Sequence, residues 1–184
     1  MANFIHAFEP QPNYLGSATL FEYTNDDGGY VRTNCGQAAA ATFLTFHGKL
    51  APGEARARKV MADIERSYPP DNVHGFLGTS RRRVIRICKA FGQALRPVHG
   101  ERALKFWLGK GQPVIVMLGV SAGKFLGFDL PGGHWMVAYG YDAGNVYLSN
   151  WGKMSWPEFR AGWAGLVPRL ISMRFRGLTA AQWL

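Results

Sequence analysis

With 184 residues, 47% of them hydrophobic and 18% charged, the chain is long enough to bury a real core and too apolar for bulk disorder. No apolar run approaches the ~18 residues that cross a bilayer, and the first thirty residues lack a basic segment followed by an apolar one, so no secretory signal is expected. The net charge of +9 is unevenly spread: residues 54 to 110 carry 13 Lys or Arg against 5 Asp or Glu, and the remainder 8 against 7.

Read in chain order, "MANFIHAFEPQPNYLG" suits an ordered arm with a Pro-containing turn, "ATLFEY" a short strand and "TNDDGG" a turn. A first helix is expected from Cys35 to Phe46, with Asn34 as N-cap, four consecutive alanines as helix formers and Gly48 at the exit. A second should run from about Pro52 to Tyr68 and stop at Pro69 and Pro70. After a loop at "NVHGFLG", Thr79 caps a third helix reaching Phe91, and a shorter fourth covers Glu101 to Leu108.

The second half changes period. "PVIVMLG" suits a buried strand and "VSAGKFLGFDLPGG" a Gly-rich loop, while "HWMVAYGYD" and "NVYLSNWG" form a hairpin around Ala143-Gly144. "SWPEFRAGW" is a helical turn capped by Ser155, and "RLISMRFRG" ends the sheet. Helices first and strands afterwards predict an α+β fold in one domain over residues 1–184, helical over about 34–110 and sheet over about 113–176.

Two cysteines make no disulfide framework and suit a reducing compartment. Cys88 shares a helical face with Val84, Ile87 and Phe91 and is expected to be a small core residue. Cys35 opens a helix, where the macrodipole and unpaired N–H groups favour thiolate. His134 opens a strand and Asn150 closes the next one, an arrangement that brings the two near each other across a hairpin. An imidazole there can take the thiol proton, and an amide can orient the imidazole without adding charge. Cys35, His134 and Asn150 are therefore the candidate nucleophile, base and orienter.

"NCGQAAAATFL", "GGHWMVAYGYD" and "VYLSNWG" resemble, in that order, the cysteine, histidine and asparagine blocks of papain-like cysteine peptidases, and of their compact bacterial C39-like branch in particular. "MSWPEFRAGW" is similar to the Ser-x-x-Glu-Phe segment that often follows the third triad position there. The resemblance implies a papain-like fold, with the nucleophile helix packed on an antiparallel sheet. It also implies hydrolysis of a peptide or other amide bond in a peptide or protein substrate through a thioester. Cys35, His134 and Asn150 would carry that reaction. The family places a glutamine about six residues before the cysteine as an oxyanion donor; here Gly29 stands there. The Cys35 N–H supplies one donor, and Asn34, Tyr30 or a neighbouring amide the second. Gly133, Trp135, Phe125 and Phe128 are candidates for lining the cleft, the last two from the Gly-rich loop.

The remaining tryptophans suit core packing, and no cofactor is implied: there is neither GxGxxG nor a P-loop, and the absence of CxxC and HExxH argues against zinc or another metal. Several variants stay open. The same triad serves a transferase or a deamidase. A catalytically idle module binding an anionic partner through the basic 54–110 segment is the rival. Arg81, Arg82 and Arg83 lack the interleaved aromatics of a base-stacking platform, which argues against nucleic acid. A compact basic hydrolase without a leader suits either the cytoplasm or a bacterial effector or toxin delivered by dedicated machinery.

Overall fold

A computed structural model describes residues 5–7, 19–30, 33–71, 78–125, 128–164 and 176–180. The chain is α+β, as expected. Two short strands, β1 (Ile5–Ala7) and β2 (Thr19–Phe21), pair antiparallel, and the turn-rich segment after them holds a 3-10 helix at Asn25–Asp27. Helices α1 (Cys35–Phe46), α2 (Glu54–Ser67) and α3 (Arg81–Ala90) follow. Then come β3 (Leu95–His99), α4 (Gly100–Gly109), β4 (Val114–Phe125), β5 (Phe128–Tyr141), β6 (Asn145–Leu148), β7 (Gly152–Ser155), α5 (Trp156–Ala164) and β8 (Arg176–Ala180). The main sheet has six strands in the order β3-β8-β4-β5-β6-β7, and every recorded pairing in it is antiparallel.

The alternation along the central strands sorts the core into two clusters, one on each face of the sheet. Ile115, Trp135, Val137 and Leu178 pack with α1, α2 and α3. Val114, Val116, Leu118, Met136 and Ala138 pack on the other face with Leu104 and Leu108 of α4 and Trp156, Phe159 and Trp163 of α5. The expectation of one helical lobe against a sheet is thus refined: α4 leaves the other helices and covers the opposite face.

α1 is buried from Cys35 through Leu44, because α2, α3 and β2 enclose it on the sides the sheet leaves free. A helix enclosed all round cannot carry a polar face, and its alanines let these neighbours approach. Gly36 is needed for the same reason, since a Cβ there would lie 2.5 Å from the Thr79 Cβ.

Several local expectations are corrected. Ser80 caps α3, accepting from the Arg83 N–H at 3.3 Å, whereas Thr79 turns inward and donates to the Thr33 carbonyl at 3.1 Å. The segment read as a Gly-rich loop continues β4 and β5 as a long hairpin in which Phe125 pairs with Phe128. The ladder continues through these glycines with a register shift between Ser121 and Lys124, because pairing with the opposite strand offsets the low strand propensity of glycine. β3 and β7 were not expected at all. β3 contains Pro97, which is tolerated because β3 lies at the sheet edge. The cap of α5 agrees with its sequence: the Ser155 hydroxyl oxygen accepts from the Glu158 N–H at 3.4 Å, and the Ser155 N–H donates to Glu158 Oε2 at 3.1 Å. The loop at "NVHGFLG", up to Leu77, and most of "RLISMRFRG" lie outside the described residues.

Candidate active site

Cys35 is the first residue of α1 and is 5% exposed. Its setting follows from where β6 stops. The Val137 N–H donates to Ser149 Oγ at 2.8 Å, and the Val137 carbonyl accepts from the Ser149 N–H at 2.9 Å, so the polar backbone of Val137 faces β6. Two residues back, the backbone of Trp135 faces the same way. By then β6 has ended at Leu148 and Asn150, with φ 59°, has turned the chain out of the ladder. The Trp135 N–H meets the Cys35 sulfur instead of a strand. The N-terminus of α1 fills a slot that the early end of β6 leaves open.

Burial pushes the Cys35 thiol above its ordinary value, and the N–H groups of Trp135, Gly36 and Cys35 itself pull against that rise without cancelling it. The sulfur thus sits beside backbone N–H groups at the head of the helix. His134 is the neighbour of Trp135, is half-buried and lies opposite Leu118 in the β4–β5 register. Burial holds its imidazole below the usual histidine range. Both shifts favour the uncharged pair, thiol beside neutral imidazole.

Asn150 follows Ser149, whose backbone N–H donates to the carbonyl of Val137, three residues beyond His134. Its backbone N–H donates to Glu22 Oε2 at 3.1 Å, and its amide nitrogen donates to the Tyr23 carbonyl at 2.9 Å. Among the described residues no hydrogen bond joins His134 to Asn150 or to the sulfur.

The other candidates divide. Asn34 stands at the N-cap position but makes no side-chain cap. It is fully buried, and its amide nitrogen donates to the Asn25 carbonyl at 2.9 Å and to Glu65 Oε1 at 2.8 Å. Both amide protons are therefore committed, which removes this side chain as a donor to an oxyanion in this arrangement. Trp135 is 3% exposed and its indole N–H donates to the Thr79 carbonyl at 2.6 Å, so the ring belongs to the core rather than a cleft wall. Gly133 is exposed, and a Cβ there would lie 3.1 Å from the Met117 sulfur. Phe125 and Phe128 sit at the tip of the hairpin; Phe128 is six residues from His134, about 20 Å of extended strand. The structure does not bring those two backbone positions to the sulfur.

Three neighbours of the site were given no role in it by the sequence. Glu22 holds the backbone at Asn150, Trp151 beside it is 55% exposed although core packing was expected, and Glu65 of α2 is 5% exposed next to α1. Only Glu65 left a signal. It falls on the stripe of Ala57, Met61 and Ile64 that α2 buries, an acid where the period calls for an apolar residue. Among the described residues no group of His, Cys, Asp and Glu could hold a metal ion, and no helix is long and apolar enough to cross a membrane.

This fold, with helices packed on an antiparallel sheet, is that of C39-like peptidase domains. A protein of Bacillus anthracis described as C39-like peptidase superposes with a TM-score of 0.55 at 12% identity, over 82% of this chain and 90% of that one. The peptidase domain of Streptococcus ComA, a bifunctional ABC transporter involved in a quorum-sensing pathway, superposes with a TM-score of 0.51 at 18% identity, over 82% and 93%. No protein-family model matches the chain, and no curated protein matches it by sequence.

Proposed function

We propose that the chain is a papain-like cysteine peptidase or amide hydrolase with Cys35 as nucleophile, His134 as base and acid, and Asn150 as orienter. The observation that carries this reading is the meeting of the Cys35 sulfur with the backbone N–H of Trp135, the residue that follows His134. It supports a short path between thiol and imidazole. Neutral His134 takes the thiol proton as sulfur attacks the substrate carbonyl carbon. The imidazolium then protonates the leaving amine as the C–N bond breaks, giving a thioester. Water, deprotonated by the same imidazole, releases the acid and restores the thiol. With the Tyr23 carbonyl taking the Asn150 amide nitrogen, Oδ1 is the group left to accept the imidazole N–H.

Hydrolysis of a fluorescence-quenched peptide library tests the reading. Cleavage should vanish in Cys35→Ala and His134→Ala; cleavage that survives the cysteine change would sink it. Transfer to an added amine, or release of ammonia from glutamine, would place the same triad in a transferase or deamidase.

The idle, anion-binding alternative is favoured by one observation, the occupied amide of Asn34 beside Gly29. Its surface would be narrower than the charge count suggests. Arg83 is held by Asp71 at 2.6 Å, and Arg82, Arg86 and Lys89 are the exposed cations of α3. Reversing these three to Glu should abolish function under this alternative, with Cys35→Ala harmless.

A further inference from the structure

Glu65 is a buried carboxylate that the triad does not use. Oε2 accepts the Gly29 N–H at 2.8 Å and Oε1 accepts the Asn34 amide at 2.8 Å. It thus ties the segment before the cysteine, at the position where the family's glutamine is missing, to the residue immediately before Cys35. Gly28 shows how closely the clamp is built. A Cβ there would lie 1.9 Å from Glu65 Oε1 and 2.6 Å from Asn34 Nδ2. Its φ of −115° is open to any residue, so the glycine is required by the clamp and not by its backbone.

Asn34 consequently serves as a tether. Its own backbone carbonyl accepts the Ala38 N–H at 3.0 Å, inside the helix, while its side chain is pulled sideways to Glu65. These two attachments fix the peptide plane between Asn34 and Cys35, and with it the direction of the Cys35 N–H. That N–H is the oxyanion donor left to the site when no glutamine side chain is present.

We propose that Glu65 is a positioning residue of the oxyanion site, holding the Cys35 N–H in line through Asn34. The inference rests on the hydrolase reading above. An acyl transfer passes through an oxyanion and an alkylation does not, so two probes of the same sulfur separate positioning from simple structural support. The first is acylation by p-nitrophenyl acetate, read as p-nitrophenolate release. The second is alkylation by iodoacetamide, read by intact mass.

Glu65→Gln keeps the shape but sets an NH2 against two N–H donors, so one bond must be lost. Acylation should fall about tenfold or more, since small misplacements and lost oxyanion donors have effects of this size or larger, while alkylation of Cys35 changes by less than about threefold. Gly28→Ala, which displaces the carboxylate without altering charge, should show the same selective loss if the first variant does not fold. Equal loss of both reactions, or no loss in either, overturns the proposal. A native chain that is alkylated but never acylated would instead overturn the hydrolase reading, before any variant is compared.

Discussion

The head of α1 and the last turn of α3 each bury a free cysteine in the same core cluster, yet the two thiols meet opposite surroundings. At Cys88 burial acts alone and pushes the thiol to about 12. At Cys35 burial is the largest influence too, but three backbone N–H groups oppose it. In the last turn of a helix the N–H groups are committed to the helix, whereas in the first turn they are unpaired. Burial therefore silences a cysteine in one place and, beside orphan donors and a strand end, prepares it in another.

Removing the imidazole gives the largest test of this contrast. His134→Ala should slow alkylation of Cys35 by about 10² or more, the usual reach of a positioned base, and leave Cys88 untouched; equal rates before and after would make Cys35 an ordinary buried thiol. Enlarging the enclosed helix is next. Ala40→Leu, at a position with no exposure, should cost about 1–3 kcal/mol in denaturant unfolding through overpacking, and a neutral result would show that α1 has more room than its neighbours suggest.

Cys88→Ala removes one buried sulfur and should cost about 1 kcal/mol without changing the alkylation rate of Cys35. A change in that rate would mean the two regions are coupled. The smallest effect concerns protonation. Burial disfavours the cation of His134, so its folded pKa lies below 6.5 and its NMR titration midpoint should too. The imidazole then stays neutral, and able to act as base, until the pH falls below that value. A midpoint above 6.5 would reveal a thiolate–imidazolium pair already formed in the resting protein.

Much of this was legible in the residues. The run of alanines after Cys35 marked α1, because small residues with high helix propensity have few other uses beside a sheet. A continuous apolar run marked the start of β4, the turn at Ala143-Gly144 marked β5 and β6, and Ser155 with Pro157 marked the start of α5. The roles that failed were those set by distant partners. Thr79 reads as a cap in sequence, but a carbonyl and an amide oxygen 46 and 42 residues away draw its hydroxyl inward. Asn34 reads as an N-cap and oxyanion donor, but the carboxylate of Glu65, 31 residues on, takes its amide.

By itself, then, the sequence determined the helices and the inner parts of β4, β5 and β6, and which residue types could perform acyl transfer, since periodicity, propensity and side-chain chemistry are local properties. Only the tertiary structure decided where each polar group finds its partner. It ended β6 early enough to turn the Trp135 N–H onto the Cys35 sulfur, and it tied Gly29, which stands where a glutamine was expected, to Glu65. A buried donor must be satisfied by whatever acceptor folding brings to it, and that acceptor carries no mark in the residues alongside.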